Sequence, residues 1–426
     1  MLQSHLIRAS AIIRTGTCIS AATSAGAGTR TAFINATCVI AFAAAVACLG
    51  PTKAQAQAQV PIRLGFIAAL SGPLSVVGAE QKRGFDLALD HLGGKLGGVP
   101  FEVISGDSKS TAPATVQELS RLIEREHVDL IAGLSTSNEV IAGIKPITDA
   151  KVFFIGMNGG PAPVAGEQCS PYYFNASFQN AQLTTGMGAY MATHGVKKLY
   201  LIGMDYEAGH EHTDAARKGF TAEVVAQTFT PVTQVDFAAD IARIRASGAD
   251  GVFAFYPGAS GIAFVRQWNQ AGLNGKIGLY SNVALSEPTV FQAQGKTALG
   301  IVVAANYFAA IDNPQNRKFV QDFRAKFGRD PASYAGLAYD AMMLIDTAVR
   351  EVKGNVRDQT AFRAALKRAD FASVRGPFKF NTNHQPIQNT YVTEVDQRAD
   401  GTLWLRQIGV AAESVSDEFA SKCPMK

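Results

Sequence analysis

Charged residues are scarce in this chain of 426 residues: they make up 17%, against 47% hydrophobic residues. The formal net charge of +4 comes from the first 56 residues, which contain Arg8, Arg14, Arg30 and Lys53 but neither Asp nor Glu. Without those four residues the chain has 35 basic and 35 acidic side chains. A neutral protein has no general electrostatic attraction to nucleic acid or to an anionic membrane, so we expect neither as a partner.

The sequence also lacks the short motifs that accompany catalysis and cofactor binding. It contains no G-x-S-x-G nucleophile elbow, no P-loop, no G-x-G-x-x-G after a predicted strand and no C-x-x-C pair. His210 and His212 flank Glu211 as a possible metal pair, but residues two apart do not share a face of a helix. We therefore expect a protein that is not an enzyme and that holds no metal or cofactor.

Cysteine is rare as well, with five residues, of which Cys18, Cys38 and Cys48 fall within the first 56 positions. The remaining two are Cys169 and Cys423. An even pair of cysteines in an oxidising compartment is typical of one disulfide. Two buried free thiols are the alternative.

An export signal is indicated near the N-terminal end. Arginines precede an apolar run at 32–47, and small residues follow in the A-x-A patterns at 54–56 and 56–58. This is the order of a secretory leader, which we predict at residues 1–56 and expect to be cleaved. A membrane anchor would need about 20 unbroken apolar residues, and Asn35 and Thr37 interrupt this run. A lipoprotein attached through Cys48 is a further alternative.

From residue 61, short apolar runs alternate with amphipathic stretches. Strands are predicted at 62–67, 101–104, 128–132, 152–155, 199–203, 251–256 and 276–280, with helices between them that include 115–126, 179–194, 211–226, 240–246 and 261–271. Beyond residue 314 three helices follow at 315–327, 333–352 and 359–369, and then short strands at 378–380, 390–395 and 402–408. This alternation predicts parallel strands joined by right-handed crossovers.

The pattern therefore predicts an α/β fold of two doubly wound parallel-sheet lobes, with a chain that crosses between them more than once. In such sheets ligands bind beyond the carboxyl ends of the strands. The loops at those ends are rich in Gly, Ser, Thr, Asn and Tyr, at 70–78, 133–138, 156–160, 204–209, 256–260 and 280–283. Small hydroxyl side chains and free backbone N–H groups at helix starts suit a carboxylate or another anion.

Four segments of the chain resemble a known family. They are Leu70-Ser71-Gly72-Pro73-Leu74-Ser75-Val76-Val77-Gly78, Gly133-Leu134-Ser135-Thr136-Ser137-Asn138, Met204-Asp205-Tyr206 with Gly209, and Tyr334 through Tyr339-Asp340-Ala341. In order and spacing they are similar to periplasmic binding proteins of the leucine/isoleucine/valine-binding family, over essentially the whole mature chain. The resemblance implies a type I periplasmic binding fold with three hinge crossings and a ligand held between two closing lobes.

The resemblance also implies a domain organisation and partners. Lobe 1 would comprise 57–178 and 308–381, and lobe 2 would comprise 179–307 and 382–410, with a C-terminal tail at 411–426. The hinge crossings would lie near 176–179, 305–309 and 380–385. The protein would be a periplasmic monomer that delivers a small-molecule carboxylate to the membrane permease of an ABC transporter.

A set of ligand-binding residues is carried over from the family. They are Ser71, Val77, Ser135, Thr136, Ser137, Asn158, Gly159, Tyr206, Tyr256, Ser281, Asn282 and Tyr339. The turns at 135–137 and 158–160 would hold a carboxylate, and the tyrosines match aromatic positions that line the cleft. From the residues alone, the turn at 135–137 could instead be ordinary helix capping, and the segment at 71–73 a plain turn.

One departure from the family concerns the ligand. Amino-acid binders place an acidic residue after the strand that ends near Tyr280, where this chain has Ser281-Asn282-Val283, and the nearest acid is Glu287. A buried ammonium group without an anionic partner is costly. We therefore expect an aromatic or short aliphatic acid, as in the branch that binds aromatic and related carboxylic acids, which this chain also resembles in Cys169 and Cys423. The alternatives are a branched-chain or other hydrophobic amino acid, or a ligand sensor for a membrane receptor.

Overall fold

The computed structural model describes residues 60–425. The predicted leader, the A-x-A sites and Cys48 lie outside these residues. Within the described part of the chain, every helix is too short or too polar to cross a membrane.

Strands and helices alternate along most of the chain. The strands are β1 (Ile62–Ala68), β2 (Lys95–Leu96), β3 (Val99–Asp107), β4 (Leu130–Gly133), β5 (Phe153–Gly156), β6 (Tyr173–Asn175), β7 (Lys198–Met204), β8 (Glu223–Thr230), β9 (Gly251–Phe255), β10 (Gly278–Asn282), β11 (Val302–Ala305), β12 (Lys379–Phe380), β13 (Pro386–Gln397) and β14 (Leu403–Val415). The helices are α1 (Ser75–Leu92), α2 (Ala112–Ser120), α3 (Ser137–Asp149), α4 (Ala162–Ala165), α5 (Asn180–Thr193), α6 (Glu207–Gly219), α7 (Ala238–Ala246), α8 (Ala259–Gln270), α9 (Phe291–Gln294), α10 (Pro314–Phe327), α11 (Ser333–Glu351) and α12 (Gln359–Arg368). A π turn at Arg121–Arg125 extends α2.

The first sheet has six strands in the order β2-β3-β1-β4-β5-β6. All neighbours in it are parallel except β2 and β3. Its central strands are buried on both faces, as Leu64, Phe66, Phe154 and Ile155 show, because parallel sheets carry helices on both sides. The order reverses between β1 and β4, which makes their carboxyl ends the expected ligand-binding edge.

The second sheet repeats this order. Strands β8, β7, β9, β10 and β11 are adjacent and parallel, in the same relation as β3, β1, β4, β5 and β6. The antiparallel strands β13, β12 and β14 are added beyond β11. Strand β14 extends to Val415, so it includes the first part of the predicted tail at 411–426.

The chain passes between the two sheets three times: after β6, after β11 and before β12. The predicted fold class, two doubly wound sheets joined by three crossings, is confirmed. The predicted lobe boundaries and the rotation about the crossings stay predictions.

One buried arginine connects the first passage, after β6, with the segments on either side of the third. Arg375 donates hydrogen bonds to the carbonyl oxygens of Ala176 (2.6 Å) and Ser177 (2.8 Å), and to Gln388 Oε1 (2.7 Å). Its Nε forms an ion pair with Asp340 Oδ2 at 2.8 Å. A buried guanidinium is tolerated only when it is paired and hydrogen-bonded in this way, so these contacts tie the first passage to the third.

Two sequence predictions of secondary structure were wrong or incomplete. The helix predicted at 211–226 ends at Gly219, and Glu223–Thr230 forms β8 beside β7. The valines and Phe229 in this segment pack more favourably on a sheet than in a helix. Strand β11 was not predicted, because its four residues are too few to show a period.

The predicted disulfide is confirmed. Cys169 and Cys423 are bonded, with their Cα atoms 5.6 Å apart, and are separated by 254 positions in the sequence. The bond ties the segment after β14 to the loop between α4 and β6.

Candidate functional site

A cavity lies where the carboxyl ends of strands from both sheets meet. The segments after β1, β4 and β5 line it from the first sheet, and those after β7, β9 and β10 line it from the second. The lining residues are Leu74, Val77, Ser135, Thr136, Ser137, Asn158, Gly159, Phe178, Asn180, Tyr206, Ala208, His212, Phe255, Pro257, Asn282, Val283, Ala284 and Tyr334. The cavity is therefore at the ligand-binding edge expected for doubly wound sheets.

The turn between β4 and α3 is held by a capping box. The side chain of Thr136 accepts a hydrogen bond from the N–H of Glu139, and Glu139 Oε2 accepts from the N–H groups of Ser135 (2.7 Å) and Thr136 (3.1 Å). Ser108 donates to the other carboxylate oxygen at 2.8 Å. Burial raises the pKa of Glu139, and the hydrogen bonds oppose this shift. Glu139 is thus engaged in forming the turn.

Ser135 lines the cavity, but its polar atoms already have partners in the protein. Its hydroxyl donates to Gln81 Oε1 (2.5 Å) and accepts from the N–H of Ala69 (2.9 Å), and its N–H donates to Glu139. Its carbonyl accepts from Asn158 Nδ2 at 2.7 Å. Ser135 therefore joins the loops after β1, β4 and β5.

Thr136 and Ser137 have hydrogen atoms that a ligand can use. Thr136 Oγ1 accepts from Glu139, and Ser137 Oγ accepts from Asn180 Nδ2 at 3.0 Å, so each hydroxyl hydrogen can be donated elsewhere. The N–H of Ser137 is at the first position of α3 and has no acceptor among the described residues. Backbone N–H groups and the dipole at a helix N-terminus favour an anion.

Gly159 allows the loop after β5 to lie against this turn. Its φ of +72° is in the left-handed region, and a Cβ atom there would be 2.9 Å from the carbonyl carbon of Thr136 and 3.0 Å from the nitrogen of Ser137. Glycine is the residue that satisfies both conditions without strain. The close approach places Asn158 and Gly159 beside the start of α3.

Another part of the lining is mainly apolar and aromatic. The ring centroids of Tyr206 and Phe255 are 6.1 Å apart, and Leu74, Val77 and Tyr334 form one packed cluster. Burial raises the pKa values of Tyr206 and Tyr334, so both phenols are neutral. This surface suits the apolar body of a ligand.

His212 is a buried and uncharged part of the lining. Burial lowers its pKa to about 3. Asn282 Oδ1 accepts from the N–H of Ala284 (3.0 Å), so Asn282 Nδ2 is the donor to His212 Nε2 at 3.2 Å. The hydrogen of the ring is then on Nδ1, which lies 3.4 Å from the hydroxyl of Thr184. Groups of three or more metal-ligating side chains do not occur in the described residues.

None of the lining residues is an Asp, Glu, Lys or Arg. Two carboxylates beside lining residues are engaged elsewhere: Glu287 accepts from the N–H (2.8 Å) and hydroxyl (2.7 Å) of Ser333, and Glu211 accepts from Ala162 and Asn180. The lining therefore has hydrogen-bond donors and apolar surface but no charged side chain.

The structure brings eight of the twelve predicted site residues together at the cavity, namely Val77, Ser135, Thr136, Ser137, Asn158, Gly159, Tyr206 and Asn282. It does not bring the other four there. Ser71 is exposed and donates to Asp107 (2.7 Å), while Ser281 is buried and donates to the carbonyl of Ala254 (2.5 Å). Tyr256 contacts Thr230 at 3.1 Å. Tyr339 contacts His91 at 2.8 Å, beyond the first turn of α11.

Sequence reasoning missed several lining residues that have clear chemistry. The most prominent are Phe178, Asn180, His212, Phe255 and Tyr334. Phe255 and Tyr334 were inside recognised segments, one position before Tyr256 and five before Tyr339, so strand and helix periodicity could have identified them. Phe178, Asn180 and His212 come from a crossing and from two helices, and their sequence context has no comparable signal.

Comparisons with known proteins agree with this fold. The sequence profile of the family described as "Periplasmic binding protein" matches residues 61–402. Leu/Ile/Val-binding protein homolog 6 of Brucella melitensis is 31% identical over 357 residues, covering 82% of this chain and 90% of that protein.

Solved structures extend the comparison. An ABC transporter solute-binding protein of R. palustris in complex with benzoate has a TM-score of 0.81 and 30% identity, covering 86% of this chain and 100% of that chain. A second R. palustris solute-binding protein, in complex with 4-hydroxybenzoate, has a TM-score of 0.78 and 27% identity, covering 84% and 98%. A leucine-binding protein of Thermotoga maritima has a TM-score of 0.73, 20% identity and coverage of 81% and 97%, and shows a common fold alone.

Proposed function

This chain belongs to the periplasmic binding protein family, the solute-binding proteins of ABC transporters, and we propose that its ligand is a small carboxylic acid without an amino group. The ligand is an aromatic or short aliphatic acid. Its carboxylate lies at the start of α3, and its apolar body lies against Val77, Tyr206 and Phe255.

The observation that carries this proposal is the polarity of the lining. The donors of Thr136 and Ser137 are on one side, and no acidic side chain faces the cavity. Charge-assisted hydrogen bonds to a carboxylate are about twice as strong as neutral ones. An α-ammonium group, in contrast, would be desolvated without an anionic partner. The benzoate and 4-hydroxybenzoate complexes of the R. palustris proteins support the same ligand class.

The proposal also covers the export of the protein and the membrane permease that receives its ligand. The leader at residues 1–56 directs export, after which the protein is a soluble periplasmic monomer that delivers its ligand to a membrane permease. A Leu/Ile/Val-type ligand is the second candidate, because the curated relative from Brucella melitensis is named for those amino acids.

Calorimetry with matched ligand pairs distinguishes the two candidates. Each pair is an acid and its α-amino counterpart, such as 3-phenylpropanoate with phenylalanine and 4-methylpentanoate with leucine, and benzoate is measured beside them. We expect the acid of each pair to bind at least tenfold more tightly, about 1.4 kcal/mol, because the ammonium group is desolvated without a partner. If leucine, isoleucine or valine binds more tightly than every acid, the carboxylic-acid assignment is wrong.

A further inference from the structure

The amide of Asn158 is fixed in one orientation by the protein. Its Nδ2 donates to the carbonyl oxygen of Ser135 at 2.7 Å, which an amide oxygen could not do. The side chain is 8% exposed, and its Oδ1 is buried without a hydrogen-bond partner in the described structure. Asn158 lines the cavity and therefore carries a hydrogen-bond acceptor that the described protein leaves unused.

Neighbouring amides in the protein do not supply the missing donor. Asn180 uses its Nδ2 for Ser137 and for Glu211, and Asn282 uses its Nδ2 for His212. An ionised carboxylate has no hydrogen to donate. An acceptor left unpaired in a buried site costs about 1–3 kcal/mol, so a ligand that donates to Asn158 has a clear advantage over one that does not.

We propose that Asn158 selects for a hydroxyl group on the ligand, so that the preferred ligand is a hydroxylated carboxylic acid and not the unsubstituted acid. The hydroxyl donates to Asn158 Oδ1 while the carboxylate accepts at the start of α3. An ammonium group could also donate to Asn158, but the cavity has no acidic side chain to balance its charge. This inference rests on the proposed function, because it assumes a carboxylate ligand.

Isosteric ligands distinguish the hydrogen bond that a hydroxyl donates from the space that it fills. The test measures dissociation constants by calorimetry for benzoate, the three hydroxybenzoates and the three methylbenzoates, in which a methyl group replaces each hydroxyl without a donor. We expect at least one hydroxybenzoate to bind tenfold or more tightly than benzoate and than its own methyl isostere. If no hydroxybenzoate has this advantage while benzoate binds, the role of Asn158 is refuted and the proposed function stands. If none of these acids binds but 4-methylpentanoate does, the selection of a hydroxybenzoate is refuted and the proposed function stands; if no acid of either set binds, both are refuted.

Variants at Asn158 test whether this residue causes the preference. Asn158→Leu removes the acceptor and should reduce the ratio of the benzoate to hydroxybenzoate dissociation constants to about two or less. The ratio is the readout because the lost hydrogen bond to Ser135 affects both ligands alike. Asn158→Asp keeps an acceptor, so it should weaken all acids through like charge but retain the preference for the hydroxyl.

A matched substitution controls for the chemical change itself. Asn274→Leu makes the same replacement at an exposed asparagine outside the cavity, and its ratio should equal that of the wild type. A ratio that is unchanged in Asn158→Leu, or lost in Asn158→Asp, would overturn the assignment. Because Asn158→Asp makes an independent prediction, the test holds even if the leucine variant fails to fold.

Discussion

At the scale of single residues, Thr136 combines a structural and a ligand-binding role. Its Oγ1 caps α3, while its hydroxyl hydrogen points to no acceptor in the described protein. Thr111 caps α2 in the same way, with extended backbone and a bond of 3.3 Å from the N–H of Ala114, but it lies outside the cavity. The two threonines therefore form a natural pair for separating capping from binding.

Replacing Thr136 by Val should weaken carboxylate binding by tenfold or more, since a hydrogen bond to a charged group contributes about 1.5–3 kcal/mol. Loss of the cap should lower the free energy of unfolding by about 1 kcal/mol. Thr111→Val should lose similar stability and leave affinity unchanged. Calorimetry and urea unfolding measure the two effects. Equal affinity in Thr136→Val and wild type would show that the carboxylate binds in another part of the cavity.

Side-chain direction explains which site residues could be predicted from the sequence. The loops at 133–138 and 156–160 were predicted to border the site because they follow strands, and the resemblance to the family identified the turns within them. Tyr256 and Ser281 do not line the cavity, whereas their neighbours do: Phe255, which was not predicted, and Asn282, which was. Adjacent residues at a strand end point to opposite sides. Tyr339 is about 7.5 Å further along α11 than Tyr334.

At the scale of elements, α1 and α11 pack with their backbones in close contact. A Cβ atom at Gly84 would lie 2.0 Å from the carbonyl oxygen of Ala335. Helix packing of this kind needs glycine at the contact, because backbone atoms cannot move aside as a side chain can. Gly143 in α3 is a matched helical glycine, since a Cβ there would meet side-chain atoms and no backbone: those of Leu119 at 2.8 Å, Leu134 at 3.3 Å and Ile147 at 3.7 Å.

Gly84→Ala should therefore destabilise the protein by about 1–3 kcal/mol or more, through overpacking against the backbone. Gly143→Ala should change stability by no more than about 1 kcal/mol, because the higher helix propensity of alanine offsets the shifts of the Leu119 and Leu134 side chains. Urea unfolding of both variants beside the wild type provides the comparison. If the two variants have the same stability, the contact between α1 and α11 is less tight than described.

Elements with a clear period could be predicted, and those without one could not. The helix predicted at 333–352 has an apolar stripe long enough to show a helical period, and it lies at Ser333–Glu351. Strand β11 is four residues long, and β8 follows α6 after a break of three residues. In both cases pairing with a neighbouring strand, β10 or β7, supplies the hydrogen bonds that decide the structure. Such long-range pairing has no local sequence signal.

At the scale of the whole molecule, two buried carboxylates join the sides of the cleft. Glu287 follows β10 of the second sheet and accepts from the N–H and hydroxyl of Ser333 at the start of α11, which packs on α1. Glu211, in α6 of the second sheet, accepts from the N–H of Ala162 at 2.6 Å, at the start of α4. If the lobes rotate apart about the three crossings, as the fold class predicts, both carboxylates become solvated.

The pKa values of Glu287 and Glu211 link closure of the cleft to the uptake of protons. Burial raises the pKa of Glu287 to about 7 and, together with Glu207, that of Glu211 to about 8, from an ordinary value of 4.5. Glu80 raises and Arg329 lowers the pKa of Glu287. Protonation of a group whose pKa is higher in the closed form stabilises that form. This stabilisation is complete below pH 4.5 and is lost as the pH rises through 7 and 8. Closure on a ligand should therefore take up protons near neutral pH.

We thus expect carboxylate binding at pH 6.5 to reduce the radius of gyration and to take up roughly one to two protons per ligand. Aromatic and aliphatic acids are already ionised at this pH, so the protons must come to the protein. Small-angle scattering measures closure, and calorimetry in buffers of different ionisation enthalpy counts the protons. The double variant Glu211→Gln and Glu287→Gln should close equally well with almost no uptake, and its affinity should vary less between pH 5.5 and 8.5. Closure of the wild type without proton uptake would show that both carboxylates stay ionised in the closed form.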